Sequence, residues 1–479
     1  MRFFRELLIL VISLGLIAFM FKANLTAIDF GFLDFISSTQ ENPKGETVKA
    51  LILPLRTGLD LKLPPVSSST PPNRMPVKTN QAESNFNLLS SAASLETKAG
   101  QMLIIGITDK APSSRLRQFL FQVRPGGIVL FRRNYSSLSQ LKTLIKFLKN
   151  TSLEYSNSPL ILAVDEEGGA VTRLPWQKKL PSAHQLAQIN DTKLTESFGR
   201  EVGLVLKQFG INMNFAPVLD LSEPNQFLKS RAYGTDPKIV EKHGIAYARG
   251  LSAGGIIPVA KHFPGLSASS KDPHHDQTKH VYSDSADFLR EIDPFFRFAK
   301  LFPSSGIMIS HTVYPQFNSR SSAVITPEIY SYLKKDIQFA GLTISDDLQM
   351  QGISYQATAG ENRIQSLIRA SFEAGCDLMM LSYSKRDQII AHQKLTGMLV
   401  KSKYLKQANE KISRILKIKN QISEKLLDAR SIASVTDLTS QAPAIHGGFL
   451  KSKGLEQLHA QLAQLSKNTQ KKAVVKSAN

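Results

Sequence analysis

The chain has 479 residues, 42% of them apolar and 20% charged, a globular composition that excludes global disorder, collagen and coiled coil and leaves room for a large core. Its one cysteine, Cys376, excludes an internal disulfide and any multi-cysteine zinc site. The net charge of +20 is weighted towards the end, where residues 401–479 hold fifteen Lys/Arg against five Asp/Glu; a mildly basic body with a basic tail fits an acidic surface or polymer better than sequence-specific nucleic-acid binding.

The chain opens with Arg2 and Arg5 ahead of an uncharged apolar run over 7–21. That run has the length of a signal-peptide core and is short for a membrane span. Cleavage after Ala27 would put Leu25 at the −3 position, and cleavage after Ala23 would put Phe21 there. Residues 1–27 therefore read as a signal peptide or an uncleaved signal-anchor helix. Either one keeps the positive end in the cytoplasm and exports the rest, to the inner-membrane surface or the periplasm. Residues 28–93, rich in Ser, Pro, Thr and Asn towards their end, read as a linker.

From about residue 94 to 428, short apolar runs alternate with longer amphipathic stretches. The runs fall at 102–107, 127–131, 160–164, 212–218, 256–260, 306–309, 342–344 and 377–381. Apolar on both faces, they have the pattern of buried parallel strands. Helical stretches stand out at 191–208, 240–251, 286–298 and 361–374. Eight strand–helix units in about 300 residues predict an α/β fold of the (β/α)8 barrel type, with a doubly wound sheet as the alternative. Residues 429–479 read as a mostly disordered basic tail with a short helix near 455–465.

Polar residues gather where the strands end. Asp165 and Glu166 follow the third run, Asp220 the fourth, Lys261 and His262 the fifth, Ser310 and His311 the sixth, and Ser345, Asp346 and Asp347 the seventh. In a barrel these positions share one mouth, at the C-terminal ends of the strands where barrel enzymes place their sites. A single Asp after a strand is often a helix N-cap; five strand ends together are harder to explain that way. The chain has no phosphate-binding glycine loop and no G-x-S-x-G elbow. Asp272, His274, His275 and Asp276, with His262, His280 and His311, could form a metal cluster, but a His-rich acidic loop suits proton transfer equally well. No metal and no cofactor is assigned. Carboxylates with a proton donor at a barrel mouth suggest glycoside hydrolysis, with Asp165, Arg173 and Lys261 as clamps for a neutral sugar.

Eight segments carry a resemblance. They are 95–106 (LETKAGQMLIIG), 164–174 (VDEEGGAVTRL), 214–221 (NFAPVLDL), 231–237 (RAYGTDP), 261–274 (KHFPGLSASSKDPH), 308–315 (MISHTVYP), 345–350 (SDDLQM) and 374–379 (AGCDLM). In this order and spacing the chain resembles glycoside hydrolase family 3, in the branch of bacterial exo-acting β-N-acetylglucosaminidases. The resemblance implies Asp346 as nucleophile of a retaining reaction and His274 as acid/base, paired with Asp272. It also implies that Asp165, Arg173, Arg231, Lys261 and His262 hold the sugar. The expected partner is a glycan with terminal β-linked N-acetylglucosamine, from the cell wall or envelope, and the expected state is a monomer held to the membrane by its N-terminal segment. Leu266 and Ser267 stand where the family has His-Gly, Ser269 where it has Thr, Pro273 lies inside the dyad, and Ala170 occupies a position where Arg is frequent. A phosphorylase acting through the same intermediate, or a membrane-anchored glycan-binding barrel with degenerate catalysis, are the competing readings.

Overall fold

The computed structural model describes residues 93–176, 178–222, 228–266, 285–317, 320–432, 444–446 and 449–451. The expected N-terminal segment over 1–27, nearly all of the linker and most of the tail lie outside these residues. Eight parallel strands close into a barrel in sequence order: β1 Leu103–Gly106, β2 Gly127–Leu130, β3 Ile161–Val164, β4 Met213–Asn214, β5 Ile257–Phe263, β6 Gly306–Ile309, β7 Leu342–Asp347 and β8 Leu378–Leu381. The ring shuts where Leu103 pairs with Met379 and Ile105 with Leu381. Every residue of β1, β2, β3, β6 and β8 is buried, because the core fills one face of each strand and the helices cover the other.

The eight runs and eight strands agree in place, and the differences have local causes. β4 is two residues long where seven were expected. Pro217 has no N–H to give the ladder, and pairing resumes only as a bridge between Val218 and Lys261. Side chains fill the gap. Asn212 accepts from Leu162 N–H at 2.9 Å and donates to Leu160 O at 2.9 Å, and Asn214 makes the same pair of bonds to Glu166 N–H and O, each at 2.9 Å. β5 and β7 extend past their apolar runs, so Lys261, His262, Asp346 and Asp347 lie on strands rather than in loops.

The helices are α1 Leu95–Gln101, α2 Ser114–Val123, α3 Leu138–Ser156, α4 Ala183–Ile189, α5 Thr192–Phe209, α6 Pro237–Ala253, α7 Ser285–Leu301, α8 Pro327–Ser331, α9 Arg363–Ala374, α10 Lys385–Leu399 and α11 Ser402–Ile432. Their starts follow side-chain caps. Ser94, Ser113, Ser137, Ser182, Asp191, Asp236, Asn362 and Ser384 each accept a first-turn N–H. α5 and α6 approach backbone to backbone. A Cβ on Gly250 would lie 2.1 Å from Glu196 O, and one on Gly203 would lie 3.0 Å from Gly254 Cα. A short antiparallel pair, β9 Ala444–His446 with β10 Phe449–Lys451, occurs inside the stretch expected to be disordered.

α11 runs beneath the N-terminal ends of the strands. Arg414 grips Asp377 Oδ1 through Nε and Nη2 at 3.0 and 2.7 Å, and Lys411 Nζ donates to Cys376 O at 2.8 Å. Cys376 itself is fully buried core. Lys419 is also fully buried, and its ammonium donates to Gln101 Oε1 at 2.6 Å. Burial pushes its ammonium down to about 7. An unfolded lysine titrates near 10.4, so between about pH 7 and 10 the unfolded chain binds the extra proton and stability rises with pH. Below about pH 7 both forms are charged and the penalty is fully present. Lys419→Met is therefore expected to raise the unfolding temperature at pH 7 by about 2–4 °C and to narrow that gain at pH 9. Thermal melts of both proteins at the two pH values check this; an unchanged gain across the pH range would remove the ammonium as its cause.

Candidate active site

The segment after β3 carries three acids with three different fates. Glu166 is completely buried and turns into its own loop, accepting N–H groups from Arg173 at 3.0 Å and Leu174 at 3.1 Å and the Trp176 indole at 3.0 Å. Burial pushes its carboxyl up to about 7, against the pull of those donors. Its role is to fold residues 166–176 into a fixed loop, and its strand-end position alone did not reveal this. Two glycines with positive φ, Gly168 at 88° and Gly169 at 59°, make the tight turn; a Cβ on Gly168 would lie 2.2 Å from Pro181 O.

Asp165 and Glu167 flank that buried acid and face the cations. Lys261 Nζ sits between them, 2.8 Å from Asp165 Oδ1 and 2.7 Å from Glu167 Oε1. Arg231 closes on Glu167 with a two-pronged bond, Nε to Oε2 and Nη2 to Oε1, both at 2.8 Å. Arg173 Nη2 lies 3.5 Å from Asp165 Oδ2. Burial by itself would push the Glu167 carboxyl up; Arg231 and Lys261 outweigh it and hold it well below the usual carboxylate range. Burial would likewise push the Lys261 ammonium down, and Asp165 with Glu167 reverses that. The result is a desolvated lattice of fixed charges in which Lys261 and Arg231 stay protonated donors.

His262 is placed by Asp220. The Asp220 carboxylate accepts the His262 backbone N–H at 3.1 and 3.2 Å and the Nδ1–H at 2.7 Å. This fixes the ring and leaves Nε2 as the nitrogen available to a ligand. Of the sugar-holding set the sequence suggested, Asp165, Arg173, Arg231 and Lys261 form one connected cluster, and His262 follows Lys261 on the same strand.

Across the mouth, β7 presents Asp346 and Asp347. Asp346 is partly exposed, and its Oδ1 accepts the Asp347 N–H at 2.8 Å. Asp347 is buried and engaged elsewhere: the Ser382 hydroxyl donates to Oδ2, and Gln349 N–H donates to Oδ1 at 3.0 Å. Burial pushes its carboxyl up to about 6. The two adjacent acids are thus distinguished by surroundings, Asp346 open to the mouth and Asp347 anchoring β7 to β8. His311 sits fully buried near Asp346. Its Nε2 must donate to the carbonyl of Asp347, 2.8 Å away, so Nδ1 is the bare nitrogen when the ring is neutral; among the described residues Nδ1 has no hydrogen-bond partner. Burial pushes the His311 pKa down. Ser310 and Ser345 are structural. Ser310 Oγ meets Tyr314 Oη at 3.2 Å, and Ser345 Oγ accepts Met380 N–H at 2.8 Å.

Asp272 and His274 lie outside the described residues, as do His275, Asp276 and His280 of the alternative metal cluster. Leu266, at the edge of that loop, is buried with Val218, Leu228 and Ala232 in a small apolar cluster, so the residue that departs from the expected histidine packs inward. Ala170 is exposed.

Sequence reasoning missed Glu167, although it lies in the same acidic run as Asp165. The available signal was a count of charges: Lys261 and Arg231 were both assigned to the site, and two buried cations need more than one carboxylate. It also missed the aromatic side chains Phe131 and Tyr383 beside Arg133, which follow β2 and β8 and meet over the mouth.

The comparisons with known proteins agree with this architecture. Residues 94–418 match the model of the glycosyl hydrolase family 3 N-terminal domain. A beta-hexosaminidase from Neisseria meningitidis is 33% identical over 274 residues, covering 55% of this chain and 73% of the relative. A beta-hexosaminidase from Vibrio cholerae is 31% identical over 284 residues, covering 58% and 81%. Among solved structures, a family 3 beta-N-acetylglucosaminidase from a Paenibacillus species superposes with a TM-score of 0.68 at 26% identity, covering 78% of this chain and 69% of that one. A closed eight-stranded barrel with a buried charge cluster and paired acids at one mouth, matched to the family model over residues 94–418, leaves one assignment: the chain belongs to glycosyl hydrolase family 3 and is a glycosidase.

Proposed function

We propose that this protein removes terminal β-linked N-acetylglucosamine from glycans, with retention of configuration. The observation that carries the reading is the lattice of Asp165, Glu167, Lys261 and Arg231 facing an open Asp346 across one barrel mouth. Fixed donors and acceptors of this kind suit the hydroxyls and amide of one neutral sugar ring. Asp346 attacks the anomeric carbon while the glycosidic C–O bond breaks and its electron pair leaves with the aglycone oxygen. His274, oriented by Asp272, gives that oxygen its proton. Water then attacks the glycosyl–Asp346 ester, His274 takes the water's proton, and the Asp346 carboxylate is restored. The relatives' beta-hexosaminidase names and the segment resemblance support the sugar and these roles. The apolar run at 7–21 supports an extracytoplasmic substrate, a cell-wall or other envelope glycan.

The test is turnover of a chromogenic β-N-acetylglucosaminide by the full chain, with the matching β-glucoside as control and with phosphate present or absent. Release from the first substrate alone, independent of phosphate, is the expected result. Release that requires phosphate would make the protein a phosphorylase. Binding of N-acetylglucosamine without release from either substrate would make it a glycan-binding barrel.

A further inference from the structure

Resting on the hydrolase reading above, we propose that Tyr383 and Phe131 form a binding platform for the leaving half of the substrate, and that this half is a second pyranose ring. Tyr383 is 66% exposed, a large aromatic side chain left in solvent just past the end of β8. An exposed aromatic is unremarkable when it is loose, but this one is held. The Arg133 guanidinium lies 5.0 Å from the Tyr383 ring centre and 4.1 Å from that of Phe131, and the two rings are 6.4 Å apart, tilted by 33°. Arg133 is itself fixed from below, Nε donating to Ile107 O at 3.0 Å and Nη2 to Ser382 O at 2.5 Å. Tyr383 N–H donates to Gln349 Oε1 at 2.6 Å.

The floor under this group is built for it. β1 ends at Gly106, and a Cβ there would lie 2.1 Å from Ser382 O and 2.8 Å from Arg133 Nη2. Only a residue without a side chain lets the β2 and β8 ends meet over β1. Both flanks of the platform join the site already described. On one side Arg173, the partner of Asp165, lies 5.6 Å from the Phe131 ring centre. On the other, Ser382 donates to Asp347, the neighbour of Asp346. The platform therefore begins one side chain from the sugar clamp and one side chain from the nucleophile's strand, at the rim of the same mouth; with only a terminal sugar held in the clamp, the part of the substrate that reaches the rim is the leaving half. A rigid aromatic surface stacks the C–H face of a sugar ring and gains little from a small alkyl group.

The experiment compares two substrates on the full chain: β-linked di-N-acetylglucosamine, whose leaving group is a pyranose, and methyl β-N-acetylglucosaminide, whose leaving group is methanol. Tyr383→Ala is expected to lower kcat/KM on the disaccharide about fivefold, mainly through KM, and to leave the methyl glycoside within about twofold of wild type. Tyr383→Phe, which keeps the ring, should retain the disaccharide rate. Equal losses on both substrates would show that Tyr383 merely supports the Asp347–Ser382 contact, and no loss on either would show an idle surface residue; each overturns the platform. Failure of wild type to cleave even the methyl glycoside would instead strike the hydrolase reading beneath it.

Discussion

Replacing Asp346 by alanine is expected to lower turnover of a β-N-acetylglucosaminide by a factor on the order of 10⁴, with the protein still folded. The side chain is partly exposed, and the bond that ties β7 to β8 is made by Asp347 with Ser382, so replacing Asp346 leaves that anchoring intact. A small anion such as azide should restore product formation by entering the space the carboxylate leaves. The product should then carry azide in the α configuration, because a single displacement inverts the anomeric carbon. Steady-state rates with and without azide, and product stereochemistry by NMR, are the readouts. A residual rate within tenfold of wild type would take the nucleophile's role away from Asp346.

The second large effect is on stability. Glu167→Ala removes the two-pronged partner of Arg231 and leaves Lys261, almost fully buried, with Asp165 as its remaining acid among the described residues. An uncompensated charge at such a place costs about 3–5 kcal/mol. Much of a domain's stability is of that size, so the variant should unfold at a markedly lower denaturant concentration or fail to accumulate. Glu167→Gln keeps the shape and two hydrogen-bonding atoms and should lose less. Urea titrations followed by circular dichroism rank the three proteins. A Glu167→Ala midpoint equal to that of wild type would mean that the cations are satisfied by other groups.

These two residues also mark what could be read from the chain before its structure. The barrel was legible because each strand is a short apolar run and five of the eight runs are followed by polar residues at a fixed end, a pattern that Lys261, Asp220 and Asp346 make visible one strand at a time. The pair Asp346 and Asp347 could be picked out because the seventh apolar run continues into Ser345, Asp346 and Asp347, and the family resemblance, not the spacing, singled out Asp346. Which of the two acids faces the mouth could not be read, since that depends on Ser382 and Gln349 capturing Asp347. Glu167 was hidden for the same reason. Three consecutive acids look alike in sequence, and only the loop clasped by Glu166 points Asp165 and Glu167 at one lysine. The Pro217 interruption of β4 was visible as a proline, but its repair by Asn212 and Asn214 required knowing which strand lies alongside.

The charge lattice at the mouth has a consequence for how such a protein diverges. Glu167, Lys261 and Arg231 come from separate segments, yet they share one set of ion pairs, so losing any one of them weakens the charge compensation of the others. A lineage that altered one would carry an under-compensated buried charge until it altered a partner, so the three are expected to change together. Tyr383 carries no such obligation. It stacks beside Arg133 and gives its backbone N–H to Gln349, and with a different side chain there Arg133 keeps its bonds to Ile107 O and Ser382 O. On the proposed reading, descendants of this chain would therefore keep the same first sugar for long periods while exchanging the second more freely, with the rim drifting around a slower corner.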